Sequence, residues 1–425
     1  MVTYRLDKSG EFVISDYNQA KPHSSFFPGI AGLWEIPLWV FYVNRGQAVV
    51  SAGIRSKDEA MMEFWPANKA YQMVSTNGFR TFIKTSRGGA KPVFYEPFLS
   101  TGTLSSAAIS NEMRIRPDAL TLVERNTALG LEIEVRYFTV PGEPFAGLAR
   151  EVMITNKSKN PVSIELLDGL PVIQPNGINN WFLNEMGRTI EAWMTVDFVH
   201  PGIPLFKLST DPRDTAQVSF VKGAHFYLSV VDGKSVGASK IIVDPREVFG
   251  AVTDLSLPAL FVSKKTFVFP KKQIARNLTP CSMTFVQKKL AAGGTVRLAS
   301  LLGHVFDAGD IDRLNMPALG DDFFAAKKEE NRTLIAGLMN RVQTTSSDPV
   351  FDLYAQQTYL DNVLRGGIPQ PFNVGGKLKN VYVFSRNHGD LERDYNRFQV
   401  APTYFSEGEG NYRDVNQNRR SDVFF

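Results

Sequence analysis

Cysteine is nearly absent from this sequence: one residue, Cys281, stands in 425, which excludes an intramolecular disulfide framework. Histidine is almost as scarce. His23, His200, His225, His304 and His388 lie far apart, show no ligand spacing and have no cysteine partner, so no metal and no cofactor are expected. Long apolar runs are missing as well, since LWVFYV at 38–43 falls far short of the ~20 residues that a membrane helix needs. The opening MVTYRLDKSGEF puts charges where a signal peptide would need its apolar stretch, so the chain reads as cytoplasmic. The sequons at Asn156, Asn277 and Asn331 are accordingly taken as chance. Charge of one sign is lacking too: the net charge is +4, with basic residues scattered rather than striped, which leaves nucleic-acid binding without an electrostatic footprint.

What is present is material for large cores. Hydrophobic residues make up 43% and charged residues 21%, and the 31 phenylalanines and 13 tyrosines favour sheets and ring-stacking surfaces. A chain of this length exceeds one ordinary core, so two or more units, or one large sandwich plus a second piece, are expected.

Up to about residue 310 the sequence is a succession of short strand-like segments broken by Gly, Pro, Asn and Lys clusters. They include 38–43, 48–54, 79–84, 112–116, 120–125, 131–140, 148–155, 162–167, 225–231, 282–287 and 295–302. Period-two alternation is clearest in Leu131-Glu132-Ile133-Glu134-Val135-Arg136-Tyr137, which buries one face and wets the other. So many strands, with no amphipathic helices read between them, predict two packed antiparallel sheets. Near 310 the period changes. Leu334, Ile335, Leu338, Met339 and Val342 form a helical stripe, and a second helix runs from an Asp348 cap and Pro349 to Gly366-Gly367. Residues 366–412 read as loop.

The densest polar chemistry lies near the end, in GEGNYRDVNQNRRSD at 408–422. Tyr412, Arg413, Asp414, Gln417 and Asn418 combine an aromatic ring, a fork, a carboxylate and amides, groups that hold vicinal hydroxyls. The plain reading is a solvated loop before a helix. Yet Gly410, Tyr412, Arg413, Asp414 and Gln417 resemble the sugar-binding stretch of cellobiose phosphorylase-type glycoside phosphorylases. Residues 148–169, 290–304 and 24–47 resemble the same family more loosely. An acidic residue commonly follows the glutamine there, and here it is Asn418.

The resemblance implies a mostly β fold: a large two-sheet sandwich of galactose mutarotase-like type over 1–312, a helical linker over 313–347, and over 348–425 the start of an (α/α)6 barrel that would continue beyond Phe425. It implies an inverting phosphorolysis of a β-linked glucose-type saccharide, in which a carboxylic acid protonates the glycosidic oxygen while inorganic phosphate attacks the anomeric carbon. That acid is expected downstream of Phe425, so no catalytic residue is named. Arg413, Asp414, Gln417, Asn418 and Tyr412 would bind substrate, phosphate would be co-substrate, and the sandwich allows a homodimer whose loops reach the partner's site. Glu407 and Glu409 are read as solvated. Within the sandwich, Asn179, Asn180, Trp181 and Trp193 mix rings with amides, although loop packing explains them more simply. Two other readings compete: a carbohydrate-binding sandwich, and a mutarotase-type epimerase, which would need paired histidines with a carboxylate.

Overall fold

The alternation in the clearest segment becomes the strand Leu131–Thr139, where Leu131, Ile133, Val135 and Tyr137 are buried and Glu132, Glu134 and Arg136 are half-exposed. The computed structural model describes residues 1–29, 38–99, 107–199, 202–213, 215–236 and 240–383. Leu131–Thr139 belongs to an 11-stranded sheet whose ladders are antiparallel, with Ala146–Asn156 and Thr295–Val305 at its centre. Against its inner face lie a five-stranded sheet built on Val162–Leu170 and a four-stranded sheet built on Trp39–Val43 and Val49–Gly53. The chain is thus a large antiparallel β-sandwich, with its second layer divided into two sheets.

One core fills the space between the layers. Ile133, Val135 and Leu302 from the large sheet meet Ile83, Ile164 and Leu166 from the five-stranded sheet and Val40 and Val49 from the four-stranded one. Burying so many aliphatic side chains, each contributing about 1.5–3 kcal/mol, is what holds the layers together. The far face of the five-stranded sheet is covered by the segment 241–269, through Val248, Phe249, Phe261 and Phe267. Gly169 has to be glycine, because a Cβ there would stand 1.9 Å from the Ser282 carbonyl oxygen.

Between Val305 and Gly366 the elements are helical. The expected stripe packs as read: Ile335, Leu338 and Met339 of the helix Asp321–Met339, with Val342, Tyr359 and Leu360, bury against Trp39, Phe41 and Val43. The second helix runs Pro349–Gly366, and the Asp348 carboxylate accepts the Val350 backbone N–H at 2.9 Å, as a cap should.

The structure corrects the sequence reading in two places. The 11-residue helix Ala67–Asn77 interrupts the strands; it buries only Ala70, Val74 and Asn77, too narrow a stripe to stand out in a short polar segment. Residues expected to be loop form the hairpin Ile368–Val374 and Lys377–Val383, turned by Gly375 and Gly376 at positive φ. Pro369 and Pro371 argued against a strand, but a two-stranded ribbon is all edge, where proline is tolerated.

Candidate functional site

The sugar-binding residues expected from the sequence, Tyr412, Arg413, Asp414, Gln417 and Asn418, lie outside the described residues, as do His200, His388, Glu407 and Glu409. The site must therefore be sought in the sandwich and its helical extension. Three polar constellations there could carry chemistry.

The first lies between the layers. Arg150 on Ala146–Asn156 ion-pairs with Asp168 on Val162–Leu170, and both side chains are fully buried. Each occupies one position of an otherwise apolar inner face. Thr81 donates to Asp168 at 2.6 Å, Gln47 Nε2 donates to Thr81 at 2.9 Å, and the Gln47 side-chain oxygen accepts from Arg150. Arg150 Nε donates to the Tyr137 hydroxyl at 3.2 Å, and that hydroxyl donates to the Gln47 carbonyl at 2.8 Å. Burial works against the Arg150 charge, but the Asp168 carboxylate outweighs it and raises the guanidinium above its ordinary value. Every member has a partner, so this network is a brace between sheets rather than a reactive group.

The second is a histidine pair that sequence spacing did not foresee. The ladder between Ala224–Val231 and Thr295–Val305 sets His225 opposite His304, with the two Nδ1 atoms 3.1 Å apart. One ring donates and the other accepts, which requires the accepting ring to be neutral. Burial, with the Arg55 charge nearby, lowers His304 to about 3, while burial and then the His304 ring drive His225 well below its usual value. At 1% and 3% exposure neither ring reaches a sugar. At this end the Glu59 carboxylate is held by Arg55 at 2.5 and 2.8 Å. So the paired histidines that an epimerase would need are present, but both rings are buried away from solvent.

Above this pair lies a mixed surface. Arg55 stacks over Phe306, 4.9 Å from its centroid, and Phe306 meets His304 edge-on. Asp58 accepts the Asn180 backbone N–H at 2.8 Å, which brings Trp181, 54% exposed, to the same end. Of the four loop residues named from the sequence, Asn179 caps the helix Asn180–Glu185, Asn180 anchors the loop through its backbone, and Trp193 packs against a small core; Trp181 is the exposed ring. Loop packing thus accounts for two of the side chains.

The third is Glu63, half-buried, whose carboxyl burial pushes up to about 7. It has no ion pair among the described residues. The signal in the sequence was a lone carboxylate inside the apolar run MMEFW. Glu124 also rises to about 7 through burial, but it is engaged by the Tyr95 hydroxyl and the Phe98 N–H. Among the described residues no group of three His, Cys, Asp or Glu side chains is placed to hold a metal. No helix among them is long and apolar enough to cross a membrane.

No protein family model and no curated protein matches the chain. Solved structures with a similar arrangement include three carbohydrate-active enzymes. A polysaccharide lyase aligns at TM-score 0.34 and 10% identity over 65% of this chain and 33% of its own. The family GH92 alpha-mannosidase of Bacteroides thetaiotaomicron aligns at 0.35 and 10% over 84% and 43%. A protein described as a kojibiose phosphorylase, from the human microbiome, aligns at 0.26 and 7% over 82% and 32%. The chain spans less than half the length of each.

Proposed function

We propose that this chain is the N-terminal portion of a carbohydrate-active enzyme, an inverting glycoside phosphorylase that uses inorganic phosphate on a β-linked glucose-type saccharide. The observation that carries this reading is the order of elements: a large sandwich ending at Val305, the helix Asp321–Met339 seated on the four-stranded sheet, and a new helix from Pro349, with the hairpin 368–383 following it before the Arg413-Asp414 stretch in the sequence. That order is the one the resembling family implies. Arg413 and Asp414 would hold hydroxyls of the transferred sugar, with Tyr412, Gln417 and Asn418 beside them, and the sandwich would serve as scaffold.

The test is product analysis. The chain, expressed with the coding sequence that follows Phe425, is incubated with cellobiose and related β-linked disaccharides in phosphate; release of a sugar 1-phosphate with inverted anomeric configuration supports the reading. Hydrolysis to free sugar in phosphate-free buffer overturns it. Trp181 favours a second reading, a carbohydrate-binding sandwich, since an exposed indole on a loop anchored to Asp58 is a surface on which a pyranose ring can stack. Saccharide binding that Trp181→Ala abolishes, with no turnover in any form of the chain, would favour it.

A further inference from the structure

The outer face of the five-stranded sheet carries a cleft of about 460 Å³. Register builds its floor from two neighbouring rungs. Ser163 pairs across the strands with Ser86 on one side and Lys289 on the other, and Glu165 pairs with Lys84 and Gln287. Hydroxyls, an amide and ammonium groups are thereby set in rows at strand spacing, about 4.8 Å apart. Lys265 and Thr266, in the segment that covers this face, form one wall.

The charge in this cleft is lopsided. Lys84 is almost wholly buried, bound to Glu165 at 2.6 Å and to the Lys264 carbonyl at 2.9 Å, so its charge is spent within the fold. Lys288 is ion-paired with Asp232. Lys265 and Lys289 line the same cleft, are exposed, and have no counter-ion among the described residues. On a chain whose net charge is only +4, two uncompensated cations over a floor of hydroxyls and an amide make a site for an anion that also offers hydroxyls. Gln287 and Glu165 are bound to each other at 3.2 Å, which fixes the amide on the floor.

We propose that this cleft binds an anionic saccharide, a glycan unit bearing a carboxylate or sulfate, with Lys265 and Lys289 on the anion and Ser86, Ser163 and Thr266 on the hydroxyls. The saccharide half of the proposal rests on the carbohydrate reading above; the anionic half rests on the charges. The cleft lies on the opposite face of the sheet from the inner core, away from the histidine pair. Its role is to hold a glycan unit other than the reacting glucose-type sugar, and no bond is made or broken in it.

Titration calorimetry at low ionic strength on the purified chain tests it, with a short oligogalacturonate as probe and a neutral cello-oligosaccharide, inorganic sulfate and a short oligonucleotide as comparisons. Oligogalacturonate should bind one per chain and weaken as salt is added. The double variant K265Q/K289Q should lose at least about tenfold in affinity, and S163A should lose a smaller factor. Both changes are at exposed positions, so an unchanged Tm shows that the variants are folded. No binding, or equal affinity in K265Q/K289Q, overturns the site; sulfate binding as tightly with S163A unchanged overturns the saccharide; preference for the oligonucleotide overturns the ligand class. Oligogalacturonate binding without any phosphorolysis would remove only the proposed activity, and phosphorolysis without this binding would remove only the cleft.

Discussion

Two polar islands lie between the layers of the sandwich and solve opposite problems. Arg150 and Asp168 are charged, fully buried and completely hydrogen-bonded; His225 and His304 are neutral, and their burial leaves His304 Nε2 without a hydrogen bond among the described residues. The difference teaches that burial in this sandwich is tolerated either by pairing a charge or by giving it up. Only the second solution depends on pH in the physiological range.

The largest expected effect comes from breaking the charged island by one member. Asp168→Ala leaves the Arg150 guanidinium buried and uncompensated, which should cost about 3 to 5 kcal/mol in urea-induced unfolding. Adding Arg150→Met should return much of that loss, because the pair is replaced by apolar contact rather than halved. A double variant as unstable as Asp168→Ala would show that the network supplies net stability of its own.

The neutral island predicts acid lability. In the folded chain His304 stays unprotonated down to about 3, whereas the unfolded chain takes up a proton near the ordinary value of 6.5. Below 6.5 the unfolded state therefore binds more protons, so stability is intact above that pH and falls as the pH drops toward 3. Between pH 7 and 5 the loss from His304 is about 2 kcal/mol. His304→Gln should flatten that part of the stability–pH curve; an unaltered slope would place the acid sensitivity elsewhere. A smaller effect is expected at the second helix, where Asp348→Ala removes the cap on Val350 and should cost about 1 kcal/mol by thermal unfolding.

Much of the sandwich was legible because a strand with one buried face writes period two into its sequence, as Leu131–Thr139 does. The charged island was half legible. Arg150 shares its strand face with Leu148, Val152 and Ile154, and Asp168 shares its face with Ile164, Leu166 and Leu170, so each stands out as a lone charge among apolar neighbours. That they meet depends on how the layers superpose, which no local pattern encodes. The histidine pair was not legible at all: 79 residues separate its members, and adjacency follows from Ala224–Val231 lying beside Thr295–Val305 in the sheet. The hairpin after the second helix was hidden by its two prolines, and the helix Ala67–Asn77 by the shortness of its apolar stripe.

We propose that polar groups inside the sandwich brace the fold while the saccharide chemistry belongs to the Arg413-Asp414 stretch. Steady-state phosphorolysis, measured on the chain expressed with the coding sequence beyond Phe425 and normalised to folded protein, compares the two directly. Arg413→Ala and Asp414→Ala should each lower kcat/KM by at least about a hundredfold with little change in Tm, because under this proposal they would remove contacts that orient the sugar for attack. His304→Gln should leave turnover per folded molecule near wild type while altering the stability–pH curve. Near-wild-type turnover in the Arg413 and Asp414 variants, with turnover lost in His304→Gln, would contradict the account and move the chemistry into the sandwich.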